Sequence, residues 1–124
     1  MSLENDSFLR EKSREIDTAL ESGCVDMFEI IGSVNDIFSS AYITKEVAEP
    51  DVVKLVWSSL INVFVFSNEY DNRFDAIVTM SEISRYAKKF GISLPFYELI
   101  KWRNKHDDSN STSEILECID DILI

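Results

Sequence analysis

His106 is the single histidine of this chain, and Cys24 and Cys118 are its only cysteines, 94 positions apart. A hydrolytic triad needs a nucleophile, a base and an orienting acid, and neither serine nor cysteine stands beside His106 in a nucleophile motif. A surface histidine beside a loop is the plainer reading. Zinc sites take three or four Cys or His ligands, and the three such side chains here are widely spaced, so no metal is expected. Asp107, Asp108, Asn110, Ser111 and Glu114 form an oxygen-rich stretch, but it lacks the central glycine and the ligand spacing of a calcium loop. The glycines at 23, 32 and 91 stand alone, so no phosphate cradle exists and no cofactor is expected. Carboxylate pairs such as Asp71 with Asp75, or Asp120 with Asp121, have the spacing for acid–base work. That chemistry also needs a desolvated pocket, which spacing does not supply. These residues favour a protein that is not an enzyme.

The elements that carry these groups follow from composition. With 45% apolar and 28% charged residues the 124-residue chain has an ordinary globular composition and a length that suits one domain, residues 1–124. Three glycines and two prolines are too few for the recurrent tight turns of a sandwich or barrel. The expected class is all-α, a compact bundle of five or six helices with a central apolar helix near residues 51–67.

A first helix is expected over about Ser7 to Ser22, capped by Asp6 or Ser7 and ended by Gly23. The second, about Val25 to Tyr42, places Met27, Ile30, Ile31, Val34, Ile37, Phe38 and Ala41 at three-four spacing, and its Gly32 would permit a close helix crossing. Pro50 and Asp51 then open a helix that is apolar on nearly every side, as one wrapped by others would be. Ile61 to Phe66 also fits a strand, because β-branched and aromatic residues dominate it. A fourth helix is expected from a cap at Asp71 or Asn72 to Phe90, with Gly91 as terminator, Lys88 and Lys89 complementing its dipole, and Phe74, Ile77, Met80, Ser84, Ala87 and Phe90 inward. A fifth opens at Ser93 and Pro95 and runs to about Asn104, burying Phe96, Leu99, Ile100 and Trp102. After a polar loop, Ser111 and Glu114 make a capping box for a last helix docked by Ile115, Leu116, Ile119, Ile122 and Leu123.

The N-terminus has neither the basic nor the apolar region of a signal peptide, and the most apolar run, Val52 to Phe66, spans only 15 residues. The expectation is a cytoplasmic chain with reduced cysteines and no membrane span.

Charge is the most informative property. The net charge is −11, yet residues 85–105 carry six bases and one acid, between an acidic first part and a final stretch with six acids and no Lys or Arg. The basic island, Arg85, Lys88, Lys89, Lys101, Arg103 and Lys105 with Tyr86 and Trp102, could mimic a nucleic-acid patch, but the acidic surroundings repel phosphate. Dipole complement and internal pairing explain it more simply, and no direct nucleic-acid contact is expected. Glu69, Tyr70, Asp71 and Asp75 gather at the start of the fourth helix, and Glu114, Glu117 and Asp121 share one face of the last. These seven residues are the candidate partner-binding set: carboxylates steer a basic protein and aromatics anchor it, although a merely soluble acidic surface would have the same composition.

This profile, small, acidic, mostly helical and without a catalytic constellation, resembles the immunity proteins that bacteria pair with secreted nuclease toxins, including those of contact-dependent growth inhibition. The resemblance covers the whole chain but rests on no motif, so it assigns no residue a role. It implies a cognate toxin whose basic nucleic-acid cleft is blocked by carboxylates. A phage-encoded inhibitor of a host nucleic-acid enzyme, or a helical adaptor or regulatory subunit, would share the same profile.

Overall fold

The computed structural model describes residues 5–22, 26–39, 43, 45–67, 69–105 and 113–123. Every regular element among them is helical: α1 (Asp6–Ser22), α2 (Met27–Phe38), α3 (Pro50–Phe66), α4 (Tyr70–Phe90), α5 (Tyr97–Lys105) and α6 (Ser113–Leu123). All six contribute side chains to one core cluster. Cys24, His106, Gly23, Ser111 and the expected ends of α2 at Val25 and Tyr42 lie outside the described residues.

The strand alternative for Ile61–Phe66 is settled in favour of helix. Pro50 occupies the first helical turn, the Glu49 carbonyl accepts the N–H groups of Val52 and Val53 at 3.0 Å, and the Ser67 N–H returns to the Val63 carbonyl. Packing then overrides β propensity, because Val52, Val56, Trp57, Leu60, Val63 and Phe64 are all fully buried. Three helices, α1, α4 and α5, pack on α3. Cover is not complete, however: Lys54, Leu55, Ser58, Asn62 and Phe66 lie on a solvent stripe, with Phe66 68% exposed.

α1 and α3 run in the same direction, since Asp6 meets Glu49 at their starts and Ser13 meets Ser59 further along. The Ser13 and Ser59 hydroxyls are buried and 2.6 Å apart. Asp6 is the first residue of α1, and its Oδ1 accepts the Glu49 N–H at 2.9 Å, joining the starts of α1 and α3. Asn5 donates to the Val47 carbonyl, and the Val47 N–H donates to the Tyr86 hydroxyl, so the segment before α3 is pinned from two helices.

α4 packs on α2, α3 and α6, which widens its buried face beyond the expected stripe. Ala76, Thr79, Ile83 and Tyr86 are buried with Ile77, Met80, Ser84 and Ala87, while Phe74 and Phe90 are only half-buried. Its N-cap is Glu69 rather than Asp71 or Asn72, without a side-chain cap bond. Gly91 ends it at φ 71°, a left-handed conformation that glycine adopts without strain. Lys88 and Lys89 lie in its last turn, as expected, and Lys88 also donates to the Ile122 carbonyl at 3.2 Å near the end of α6.

α5 starts two residues beyond Pro95. The Pro95 carbonyl accepts the Trp57 indole N–H at 3.0 Å, and Phe96 meets the Trp57 ring edge-on, which holds this stretch against α3 before the helix begins. Trp102 is buried against Phe64, whereas Ile100, expected inside, is 46% exposed.

Gly32 makes no close crossing. A Cβ built there meets nothing within 4 Å, and its φ is ordinary. Gly32→Ala is therefore expected to stabilise the fold by up to about 1 kcal/mol through helix propensity alone. Urea unfolding followed by circular dichroism checks this, and a lower midpoint would show a clash that the backbone does not reveal.

Candidate partner-binding face

Glu69 begins the site. Its N–H donates to the Ser67 hydroxyl at 3.2 Å, which fixes the turn from α3 into α4 and leaves the carboxylate exposed. Tyr70 follows as the first residue of α4, its ring stacked on that of Phe74 one turn later at 6.1 Å between centroids and 11° between planes. Asp71 in the same first turn is exposed and lies near the positive end of the helix dipole, while Asp75 is half-buried.

α6 brings the second group. Ile115, Leu116, Ile119 and Ile122 are buried on one side, which forces Glu114, Glu117 and Asp121 outward at three-four spacing. The helix lies along α4 in the same direction: the Tyr70 hydroxyl donates to Glu114 Oε2 at 3.4 Å near the start of both, and Lys88 meets Ile122 near their ends. The two acidic groups, 44 residues apart at this contact, therefore meet where Tyr70 reaches Glu114.

Ionisation along this face is perturbed in one direction. Tyr70 has its pKa raised by burial and then by the Glu114 and Asp71 carboxylates, and Cys118, the half-buried free thiol of α6, is raised by burial and then by Asp121, Glu117 and Glu114. Both groups are held protonated, which disfavours the thiolate that a nucleophilic role requires.

Burial, then Asp71 one turn earlier, raises the Asp75 carboxyl above the ordinary carboxylate value. A carboxyl raised in the folded state holds its proton more tightly there than in the unfolded chain. Its ionisation therefore weakens the fold as pH rises through the folded pKa, and the penalty is absent below the ordinary carboxylate range. Asp75→Asn should raise the thermal midpoint near about pH 7 and leave it unchanged near about pH 3. A lower midpoint at neutral pH would contradict this assignment.

The basic island is largely committed inside the molecule. Arg85 pairs with Glu82 at 2.8 Å, Arg103 with Asp120 at 3.0 Å, Lys88 reaches Ile122 and Lys89 reaches the Ile43 carbonyl. Lys101 and Lys105 have no ion-pair partner among the described residues, and with Val65, Glu98 and Trp102 they line a groove of about 90 Å³.

Two features of the face were not legible in sequence. Arg73 sits on α4 amid these acids with its Nε buried and lacking a hydrogen-bond partner among the described residues, and Asp120 is diverted from the acidic face to Arg103. A base three residues from Tyr70 was the only available signal for the first; nothing local marked the second. An open groove of about 320 Å³ between α1 and α2 includes Glu11, Glu15, Asp26 and Ile30, with Glu11 and Glu15 already paired to Arg14 and Lys12. Among the described residues no group of three or more His, Cys, Asp or Glu side chains could hold a metal ion, and no helix is long and apolar enough to cross a membrane.

Comparison with protein-family models, curated proteins and solved structures gives no match.

Proposed function

We propose that this chain is a non-catalytic binding protein that neutralises a basic protein, a nuclease-type toxin, as a cytoplasmic bacterial immunity protein does. The observation that carries the reading is the contact of the half-exposed Tyr70, which stands between Glu69 and Asp71 at the start of α4, with Glu114 of α6, which brings the acidic starts of the two helices together. Such a face can oppose a cleft built for phosphates: carboxylates stand where phosphates would lie, and the ring supplies apolar contact area. The distribution of the bases supports the same orientation. Four of the six residues in the basic island are tied to internal acids or main-chain carbonyls, and the acids among these partners, Glu82 and Asp120, lie outside the candidate set.

The test is genetic and then direct. The gene immediately upstream should encode a basic nuclease domain whose expression arrests growth. Coexpression of this chain should restore growth, and the purified pair should form a complex in which nuclease activity is lost. An upstream product with neither toxicity nor affinity for this chain would overturn the immunity reading.

A further inference from the structure

Arg85, Tyr86 and Lys89 belong to the basic island, and the acidic face leaves them without a role. They stand on one wall of a cleft of about 240 Å³ between α2 and α4, which Phe38 and Ser39 at the end of α2, Ile43 beyond it and Glu82 complete. Helical spacing explains the wall. Positions 82, 85, 86 and 89 recur every three or four residues on α4, so they share one flank of it.

The cleft has apolar walls and a charged rim. Phe38 and Tyr86 are buried, their rings edge-on at 5.1 Å between centroids, and the Tyr86 hydroxyl is held by the Val47 N–H at 2.9 Å. Both rings are therefore fixed in place without a ligand. Arg85 and Lys89 are exposed at the rim. Arg85 uses Nη1 on Glu82 at 2.8 Å, in a solvent-exposed pair, and the rest of its donor fork has no partner among the described residues. Lys89 donates to the Ile43 carbonyl, a neutral acceptor, and has no carboxylate partner among the described residues. Two of the lining residues are cationic and one, Glu82, is acidic, the reverse of the balance in a chain whose net charge is −11.

We propose that this cleft binds a small aromatic carboxylate, its ring against Phe38 and Tyr86 and its carboxylate between Arg85 and Lys89. Size, walls and charge select that class. An apolar cavity of about 150 Å³ takes benzene, and pockets for drug-sized ligands run to about 300–1,000 Å³, so this volume suits a body of one or two rings. Two aromatic walls favour a flat apolar body, which can meet them face or edge on. The guanidinium fork matches a planar carboxylate, and the Lys89 ammonium adds a point charge one helical turn away. A polyanion such as a nucleic-acid strand would extend beyond this pair into the negative field of the chain. The negative end of the α2 dipole lies at Ser39, so the anionic group belongs against α4 and the ring beneath it. The site is separate from the proposed toxin-binding face: Asp75 and Arg85 are ten residues apart on α4, about 15 Å along the helix, and no basic partner is needed to test it.

Titration of the isotope-labelled full chain with indoleacetate, read by backbone amide shifts, tests this. The expected result is saturable binding with a Kd of about 1 mM or tighter and the largest shifts at Ser39, Arg85, Tyr86 and Lys89. Indole, acetate and inorganic phosphate separate the contributions, and each should bind at least tenfold more weakly than indoleacetate. Arg85→Gln and Lys89→Gln should each weaken indoleacetate at least threefold and, as changes to exposed side chains, leave helicity intact. Ser39→Trp places a ring of the chain's own in the cleft from an exposed position and should abolish binding. If a variant loses helicity, the thermal midpoint of the parent decides: it should rise more with indoleacetate than with equal concentrations of indole or acetate. No saturable shift up to about 10 mM, indole or phosphate bound as tightly as indoleacetate, or affinity indifferent to all three variants would overturn the proposal.

Discussion

Trp57→Ala is expected to cost about 3–5 kcal/mol of folding stability, a large share of the roughly 5–15 kcal/mol that holds a domain of this size together. Trp57 is fully buried in α3 and supports the fold in two ways. Its ring meets Phe96 at 5.9 Å between centroids, and its indole N–H satisfies the Pro95 carbonyl at 3.0 Å. Truncation removes the ring, opens a cavity beneath the stretch that leads into α5, and leaves that carbonyl without its donor. Trp57→Phe separates the terms, because it keeps most of the apolar volume while removing the donor. It should cost about 0.5–1.5 kcal/mol, the net worth of a hydrogen bond whose acceptor belongs to the exposed Pro95. Because α5 otherwise docks through Leu99 and the Trp102–Phe64 contact, the alanine variant should also loosen α5 first. Urea unfolding monitored by circular dichroism gives the free energies, and amide exchange along α5 gives the order. Both variants lying within 1 kcal/mol of the parent would mean that this anchor is dispensable.

Local signals were sufficient wherever one helix decides its own fate. The Met27, Ile31, Val34 and Phe38 spacing identified the buried face of α2, and Gly91 identified the end of α4, because helix periodicity and left-handed capping act within a few residues. Pro50 and Asp51 marked the start of α3 for the same reason. The errors fall where a neighbour decides. On a nine-residue helix with apolar residues at 99, 100 and 102, periodicity does not say which one faces the core. Phe64 takes Trp102, and Ile100 turns outward. Asp6 is a good helix cap by type, and its bond to the Glu49 N–H, 43 residues away, is one that no local signal marks. Gly32 suggested a close crossing, and no neighbour comes near enough to need one.

The candidate face divides in the same manner. Each half was readable, since helical spacing alone exposes Glu114, Glu117 and Asp121 together and sets Glu69, Tyr70 and Asp71 around one helix start. Their union was not readable, because it depends on α6 lying along α4 in the same direction, with Tyr70 reaching Glu114. Parallel packing of two helices separated by α5 is a property of the whole core. The same holds for the basic island, whose internal pairing with Asp120 and with the Ile122 carbonyl depends on where α6 ends.

Charge reversal on this face should produce the largest functional effect. With the basic partner in hand, Asp71→Lys with Asp75→Lys, and separately Glu114→Lys with Asp121→Lys, are each expected to weaken binding more than tenfold, about 1.4 kcal/mol. The two pairs should differ in mechanism. Glu114 and Asp121 are exposed, so their reversal should act mainly by slowing association, with a loss that shrinks as salt rises. Asp75 is half-buried with a raised pKa, and a cation docked beside it would hold the carboxylate in its charged form. Reversing that pair should therefore also speed dissociation, toward the roughly 2–5 kcal/mol seen when one member of a desolvated charge pair is lost. A lysine at 71 also opposes the dipole at the start of α4, which should lower stability by about 0.3–1 kcal/mol and must be measured beside the affinity. Tyr70→Phe completes the set by keeping the stacked ring while removing the hydroxyl that reaches Glu114. If neither double reversal weakens a folded variant tenfold, the acidic face is not the docking surface, and the exposed rings of Phe28 and Phe66 become the place to look.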